Sequence, residues 1–518
     1  MGAGAGLALG LGVLGSASAA GHGDPVVMTR HGPVTGLREG GVLAFRGVRY
    51  GQDTARTRFA RPMAPESWRD PVRAVAYGAA SPQRGGEPNQ SEDCLFLNVW
   101  TPSAEAGARR PVMVYIHGGA YNSGSGSDPQ TNGARLALAA DVVVVTLNHR
   151  LNVFGYLSLS RVFSGVFPDS GNAGQWDLVL ALEWVRNSIA QFGGDPARVM
   201  LFGQSGGGAK IATLMASPAA AGLFHAVATM SGQQVTASGP LNAERRARAY
   251  LGALQVATPE ALLALPVERL LEALGEVRDP VNPEFGLYVG PVLDGRMLMR
   301  HPFWPDAPEL SRHIPMILGN TAGETRNLIG GAEPESFSLT WEDVPARLAR
   351  HMRCDIDPDL VVAHYRTAHP AMSPSEVFFA ATTAARSWRG QVEEADARAR
   401  QGAPTWVYRF DLASPRDGGK WGAPHTVDIA AVFGNLGAPG AWLGQGATAR
   451  AVSDTLQRAF VALARTGDPN TAGLPDWPQY GLARRQTLIL DAVTRVEDDP
   501  RGAERALFAT VPFIQWGS

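Results

Sequence analysis

Three glycines around one serine give the sharpest chemical signal in this 518-residue chain. Gly203-Gln204-Ser205-Gly206-Gly207 fits G-x-S-x-G, where a strand turns tightly into a helix and small residues flank the serine because the turn has no room for side chains. The hydroxyl then stands above the sheet, and the N-terminus of the next helix puts positive potential where an oxyanion forms. With 60 glycines in the chain, the same residues could be a plain glycine turn. Context favours chemistry: Ser205 alone has this flanking, after the apolar run Val199 to Phe202 and before the helical stretch Ala209 to Ala216. A second loop, His117-Gly118-Gly119-Ala120-Tyr121, follows another apolar run. Backbone N–H groups reach a carbonyl oxygen only where side chains are absent or small. Gly119 and Ala120 suit that task, and with Gly206 they would form a three-donor oxyanion hole, each donor worth about 3 kcal/mol in the transition state. The bland reading is a loop whose glycines only let the backbone turn. A nucleophilic serine needs a base. Among His225, His301, His313, His351, His364, His369 and His425, only His425 sits on a Gly/Pro-rich loop just before an apolar segment.

The elements needed to hold these groups are legible in outline. Val112 to Ile116, Val142 to Thr146 and Val199 to Phe202 read as strands, as do the later runs Pro315 to Leu318 and Trp406 to Phe410. Asp177 to Phe192 has helical spacing and ends at Gly193-Gly194. Strands alternating with helices predict an α/β fold with a large, mostly parallel central sheet covered on both faces. Residues 330 to 400 are mainly helical and arginine-rich, so helical insertions are expected to form a cap over the site. Tyr121, Trp176, Phe378 and Trp421 are aromatic candidates for its lining, though each also reads as core or surface.

Composition narrows the classes. Hydrophobic residues make up 45% and charged residues 18%, enough for a large core. Net charge is −2, the basic residues are scattered, and Lys210 and Lys420 are the only lysines. No basic stripe with interleaved aromatics suggests nucleic acid. The two cysteines, Cys94 and Cys354, fit no metal spacing and are expected as free thiols; no metal or organic cofactor is called for. Met1 to Ala20 has no charged side chain and an apolar run, Leu7 to Leu14, followed by Ala17-Ser18-Ala19-Ala20. That resembles a secretory signal lacking its basic start, with an N-terminal extension as the alternative. The run is too short for a membrane span, which needs about 20 apolar residues. We therefore expect a leader or N-terminal extension over 1–24, export to the periplasm or beyond with a cytoplasmic location as the alternative, and one domain over 25–518.

Further motifs point to one family. Phe45-Arg46-Gly47-Val48-Arg49-Tyr50, Ser91-Glu92-Asp93-Cys94-Leu95-Phe96-Leu97-Asn98-Val99, Asn148-His149-Arg150, Phe192-Gly193-Gly194-Asp195-Pro196 and Arg465-Thr466-Gly467-Asp468-Pro469-Asn470 occur in order. With the two glycine loops, the chain resembles the type-B carboxylesterase/lipase family of the α/β-hydrolase fold from about residue 26 onward. The resemblance implies a glutamate in the turn Gly319-Asn320-Thr321-Ala322-Gly323-Glu324, and a histidine in Gly422-Ala423-Pro424-His425-Thr426-Val427-Asp428-Ile429. Ser205, Glu324 and His425 would then form the triad, in the chain order of this fold. The implied activity is hydrolysis of a small carboxylic ester through an acyl-enzyme. Amides, thioesters and carbamates pass through similar intermediates and stay open, as does a non-catalytic adhesion relative that keeps the scaffold.

Some positions depart from the family pattern. Gln204 stands where a glutamate is common, which removes a negative charge beside the base and weakens any preference for cationic substrates. Gly206 replaces an alanine; Gly323 and Thr325 replace the usual Asp and Gly around Glu324. Many relatives pair the cysteine of the S-E-D-C-L motif with an upstream one, and here Ser81 occupies that upstream position.

Overall fold

The computed structural model describes residues 23–515 and 517, so the leader expected at the N-terminus lies outside the described residues except for its last two positions. The chain begins with β1 (Val26–Met28), β2 (Pro33–Thr35), β3 (Leu37–Glu39), β4 (Val42–Arg49) and β5 (Val72–Arg73). Then follow β6 (Phe96–Thr101), β7 (Arg110–Ile116), β8 (Val143–Leu147), β9 (Gly194–Gln204), β10 (Ala226–Met230), β11 (Met316–Thr321), β12 (Thr405–Phe410), β13 (Gln486–Leu490) and β14 (Arg495–Asp498). Strands β1, β2 and β5 make a small sheet. The other eleven form one large sheet in the order β14-β13-β12-β11-β10-β9-β7-β8-β6-β4-β3. From β8 to β13 every pairing is parallel; β14 and the β6-β4-β3 edge are antiparallel.

Alternation along each strand splits the core between two faces. Val112, Val114 and Ile116 of β7 pack on one side with Val143 and Val145 of β8, Val199 and Leu201 of β9, and the helix Ala173–Ser188. Met113 and Tyr115 turn the other way, with Val144, Met200 and Phe202, under the helices Val427–Phe433 and Ala447–Thr466. Burial on both faces explains the near-continuous apolar runs, since a half-exposed strand would alternate. The large parallel sheet with helices on both faces is the one expected from the sequence. Each predicted strand is present, β9 reaching further toward its N-terminus than its apolar run and β11 running on to Thr321.

The segment between 330 and 400 is helical. Pro374–Thr383 starts with a capping box in which Ser373 and Glu376 satisfy each other's backbone N–H. A π-helical turn, Ala384–Trp388, joins it to the helix Arg389–Gln401. These helices enclose a core of their own built on Val344, Leu348, Tyr365, Phe378 and Phe379. Cys94 and Cys354 are free thiols, and the Ser81 side chain hydrogen-bonds Cys94. Among the described residues, no helix is long and apolar enough to cross a membrane, and no cluster of three His, Cys, Asp or Glu side chains could hold a metal.

Candidate active site

Strands β7, β9, β10, β11 and β12 all deliver their C-terminal ends to one edge of the sheet, where open α/β folds place ligands. Ser205 lies between β9 and the helix Gly206–Met215 with φ 55° and ψ −125°, a strained conformation for a residue with a side chain. Its neighbours explain how it is held. The Ser205 N–H donates to the Met230 carbonyl at 2.7 Å. A Cβ on Gly207 would lie 1.9 Å from the Ile116 carbonyl oxygen, and one on Gly232 would lie 1.9 Å from that of Ser205. Backbone from β7 and β10 therefore presses against the turn from both sides. At Gly206 an added Cβ would sit 2.0 Å from the Ala120 oxygen. This glycine, where the family has an alanine, permits the loop after β7 to approach.

Glu324 follows β11 and His425 follows β12, and the structure brings the two together. Glu324 is fully buried, with Oε2 against His425 Nδ1 in a short hydrogen bond. Its Oε1 accepts from the Ser231 hydroxyl, from Asn320 Nδ2 at 3.2 Å and from the Thr321 N–H at 2.7 Å. Burial alone would raise this carboxyl. The charge and hydrogen bond of His425, with those from Ser231 and Thr321, outweigh it and hold the group below its ordinary value. Asn327 grips the His425 backbone from both sides, accepting from its N–H at 3.0 Å and donating to its carbonyl at 2.9 Å. Thr325 anchors the glutamate turn through its hydroxyl, which reaches Phe379 O, Thr382 and Thr383 at 2.8–3.0 Å. Gln204 Nε2 lies 3.1 Å from His425 Nε2 and 3.4 Å from Nδ1. Such similar distances to two nitrogens of one ring place the amide on the ring face, leaving the in-plane direction of Nε2 open.

The loop after β7 turns through left-handed conformations at Gly119 and Ala120, with φ 83° and 51°. Among the described residues, no acceptor takes the N–H of Gly119, Ala120 or Gly206. Ala120 and Gly206 line the same cavity as Ser205 and His425, whereas Gly119 is not among its lining residues. Sequence reasoning missed what supports this loop. Lys210, wholly buried, donates from Nζ to the Ala120 carbonyl at 2.8 Å and the His117 carbonyl at 3.2 Å. Burial without a carboxylate partner brings its amine down to about 7. His117 and His149 stack beside it at 4.7 Å; burial, then the charge of Lys210, brings His117 down to about 3, so both rings stay neutral. A lysine in an otherwise apolar helix, in a chain with two lysines, was the available signal.

The cavity above Ser205 has a volume of about 450 Å³, a size that suits a small organic ester. Of the aromatic candidates only Tyr121 lines it, its hydroxyl donating to Gln234 Oε1 at 2.7 Å. Trp176 and Phe378 belong to the cores, and Trp421 packs between Phe337 and Trp442. Tyr288 and Phe513 supply aromatic walls that the sequence did not single out. The cap contributes Arg353, Arg386, Ser387 and Gly390.

Comparison with known proteins gives the family. Residues 23–508 match the carboxylesterase family. The chain is 35% identical to a para-nitrobenzyl esterase of Bacillus subtilis (strain 168) over 497 residues, covering 93% of this chain and 97% of that protein. It is 32% identical to a phenmedipham hydrolase of Pseudarthrobacter oxydans, covering 88% and 93%. Among solved structures, a Geobacillus stearothermophilus carboxylesterase at pH 6.2 superposes with a TM-score of 0.82 at 36% identity, covering 93% of this chain and 99% of that one.

Proposed function

Because this chain belongs to the carboxylesterase family and is a carboxylic-ester hydrolase, we propose that its catalysis runs through Ser205, His425 and Glu324. The carrying observation is the buried Glu324 carboxylate on His425 Nδ1, at the sheet edge where Ser205 shares a cavity with the same imidazole. The Nδ1–H donates to Glu324, so the lone pair stays on Nε2 and can take a proton from the Ser205 hydroxyl. Ser205 Oγ bonds to the ester carbonyl carbon, and the oxyanion is met by the N–H groups of Gly119, Ala120 and Gly206. His425 passes its proton to the departing alkoxide, which leaves as the alcohol. Water then attacks the acyl-enzyme, His425 takes its proton and returns it to Ser205 Oγ, and the acid is released. The sum is ester plus water giving acid plus alcohol. Glu324 keeps the imidazole in one tautomer and stabilises it when charged.

Hydrolysis of 4-nitrophenyl butyrate by Ser205→Ala tests the assignment, with folding followed by circular dichroism. The folded variant is expected to lose turnover and to resist covalent labelling by an organophosphonate that inactivates the parent enzyme. A folded variant that still turns over would refute Ser205 as nucleophile.

A further inference from the structure

The helix that follows Ser205 carries a residue that packing alone would not choose. Lys210 belongs to Gly206–Met215, a helix buried along its whole length, and its neighbours Ala209, Ile211 and Ala212 are apolar. Methionine, also unbranched, would fill much of the same space without a charge. Burying an ammonium is costly unless other groups bond it well, and desolvation is the one influence that moves this amine. Among the described residues, no carboxylate forms an ion pair with it.

The ammonium grips backbone instead. Nζ donates to the Ala120 carbonyl at 2.8 Å and to the His117 carbonyl at 3.2 Å. These two carbonyls flank Gly118-Gly119, so one group holds both ends of the turn that carries the Gly119 and Ala120 N–H groups. The hold matters because Ala120 has φ 51°, a left-handed conformation that a residue with a Cβ rarely adopts. The same Ala120 oxygen is the atom that an added Cβ on Gly206 would strike. Oxyanion loop, nucleophile turn and Lys210 therefore meet at one carbonyl.

The groups that face the amine do not share its charge. His117 and Tyr121 come from the loop after β7, and the Tyr121 ring centroid lies 5.4 Å from Nζ. His149 comes from the end of β8. Each imidazole donates from Nδ1 to a carbonyl at 2.9 Å, that of Gly118 or Arg150, and both rings are neutral. Arg150 is paired with Asp177, and burial holds the Tyr121 phenol well above its ordinary value. Within this cluster the group that changes charge near neutrality is Lys210, which burial brings down to about 7.

We propose that Lys210 is a positioning residue for ester hydrolysis that works only as the ammonium, clamping the oxyanion loop and setting positive charge behind the N–H groups that receive the oxyanion. It does not line the cavity and acts through the loop. Negative charge grows on the carbonyl oxygen only in the transition state, so the contribution belongs to kcat rather than KM. The role rests on the reading of Ser205 as nucleophile, and the two can fail separately.

The test follows 4-nitrophenyl butyrate hydrolysis by wild type and Lys210→Met between about pH 6 and pH 9. At neutral pH the folded variant is expected to lose about 10²-fold in kcat, the effect of one missing oxyanion donor, with KM nearly unchanged. Affinity for propyl trifluoromethyl ketone should fall in parallel. Its carbonyl carbon bonds to Ser205 Oγ, the serine proton passes to His425, and the carbonyl π electrons become the oxyanion's lone pair. As pH rises, wild-type kcat/KM should fall toward that of Lys210→Met, because the neutral amine no longer supplies the charge. A folded variant with kcat within about threefold of wild type would overturn the proposal. A loss of equal size at every pH would do the same, because it marks packing alone. Glu394 titrates in the same range: burial raises its carboxyl to about 8, and it accepts the N–H of the cavity residue Gln234 at 2.7 Å. Glu394→Gln should therefore keep the alkaline fall. If Lys210→Met does not fold, wild type and Glu394→Gln decide: a wild-type plateau up to about pH 9, or a fall abolished by Glu394→Gln, would refute Lys210 as its source. Failure of the Ser205 reading looks different, since its folded alanine variant would still hydrolyse the ester.

Discussion

Replacing Glu324 by glutamine changes one atom and, by the donors around it, disables the base. The amide has two orientations. Oε1 of Glu324 receives the Thr321 N–H, Asn320 Nδ2 and the Ser231 hydroxyl, whereas Oε2 receives only His425. Pointing the amide NH2 at Oε1's position would set it against the backbone Thr321 N–H, which cannot rotate away, and would force the Asn320 amide to flip. A buried donor left unpaired costs about 1–3 kcal/mol, so that orientation is disfavoured by roughly that much. The NH2 therefore faces His425. An imidazole opposite a donor must present its Nδ1 lone pair, so its proton moves to Nε2, where it cannot accept from Ser205. The expected loss in kcat is about 10³–10⁴-fold, or roughly 4–5.5 kcal/mol of transition-state stabilisation. KM for 4-nitrophenyl butyrate should change little, because Glu324 does not line the cavity. Steady-state kinetics with active sites counted by phosphonate titration measure both parameters. A folded Glu324→Gln enzyme with kcat within about tenfold of wild type would refute the argument, since the tautomer would then not depend on this carboxylate.

Three other predictions follow from single contacts. In Gly206→Ala the new Cβ would lie 2.0 Å from Ala120 O, so the oxyanion loop must retreat; kcat should fall at least about tenfold with little change in thermal midpoint, and wild-type kcat would contradict the contact. Lys210 has its amine lowered from 10.5 to about 7 by burial, so the folded state binds fewer protons than the unfolded one between those values and this group's contribution to stability rises with pH across that window. Lys210→Met lacks this slope, and the stability difference should move in favour of wild type by about 2 kcal/mol between about pH 7 and pH 9 in urea unfolding; parallel curves would exclude it. Asp428, hydrogen-bonded by the Tyr408 hydroxyl at 2.7 Å, is raised from 3.8 to about 6, chiefly by burial. The folded state then binds the extra proton between those values, so stability from this group falls as pH rises and the full cost holds above about 6. Asp428→Asn should gain about 2 kcal/mol relative to wild type between about pH 4.5 and pH 8, and no change in that difference would count against it.

The sequence displays the groups that perform chemistry more openly than the groups that hold them. Ser205 and the glycines around it are visible because the turn admits almost nothing else: at Gly207 and Gly232 even a methyl group would meet a carbonyl at 1.9 Å. The strands are visible because burial on both faces demands unbroken apolar runs. Support from elsewhere in the chain has no such signature. Ser231, Asn320 and Asn327 are ordinary polar residues until β10, β11 and the His425 loop are laid side by side. Thr325 departs from the family pattern, and only its contacts with Phe379, Thr382 and Thr383 show that its hydroxyl ties the turn to the cap. The cap's helical character could be read, but which of its many arginines face the cavity depends on a π turn and a left-handed residue that periodicity does not register.

Burying a cation without a nearby acid is costly, so the placement of Lys210 bears on what the loop after β7 does. Its amine holds the Ala120 carbonyl at 2.8 Å and the His117 carbonyl at 3.2 Å, so the backbone carrying the N–H groups of Gly119 and Ala120 is tied from behind. A neutral ester would need positive potential only where the oxyanion forms, and those N–H groups would supply it. The neutral Gln204 beside His425 adds no negative charge. A cationic substrate would therefore find no anion there, which is the direction in which the loss of the glutamate before Ser205 already points.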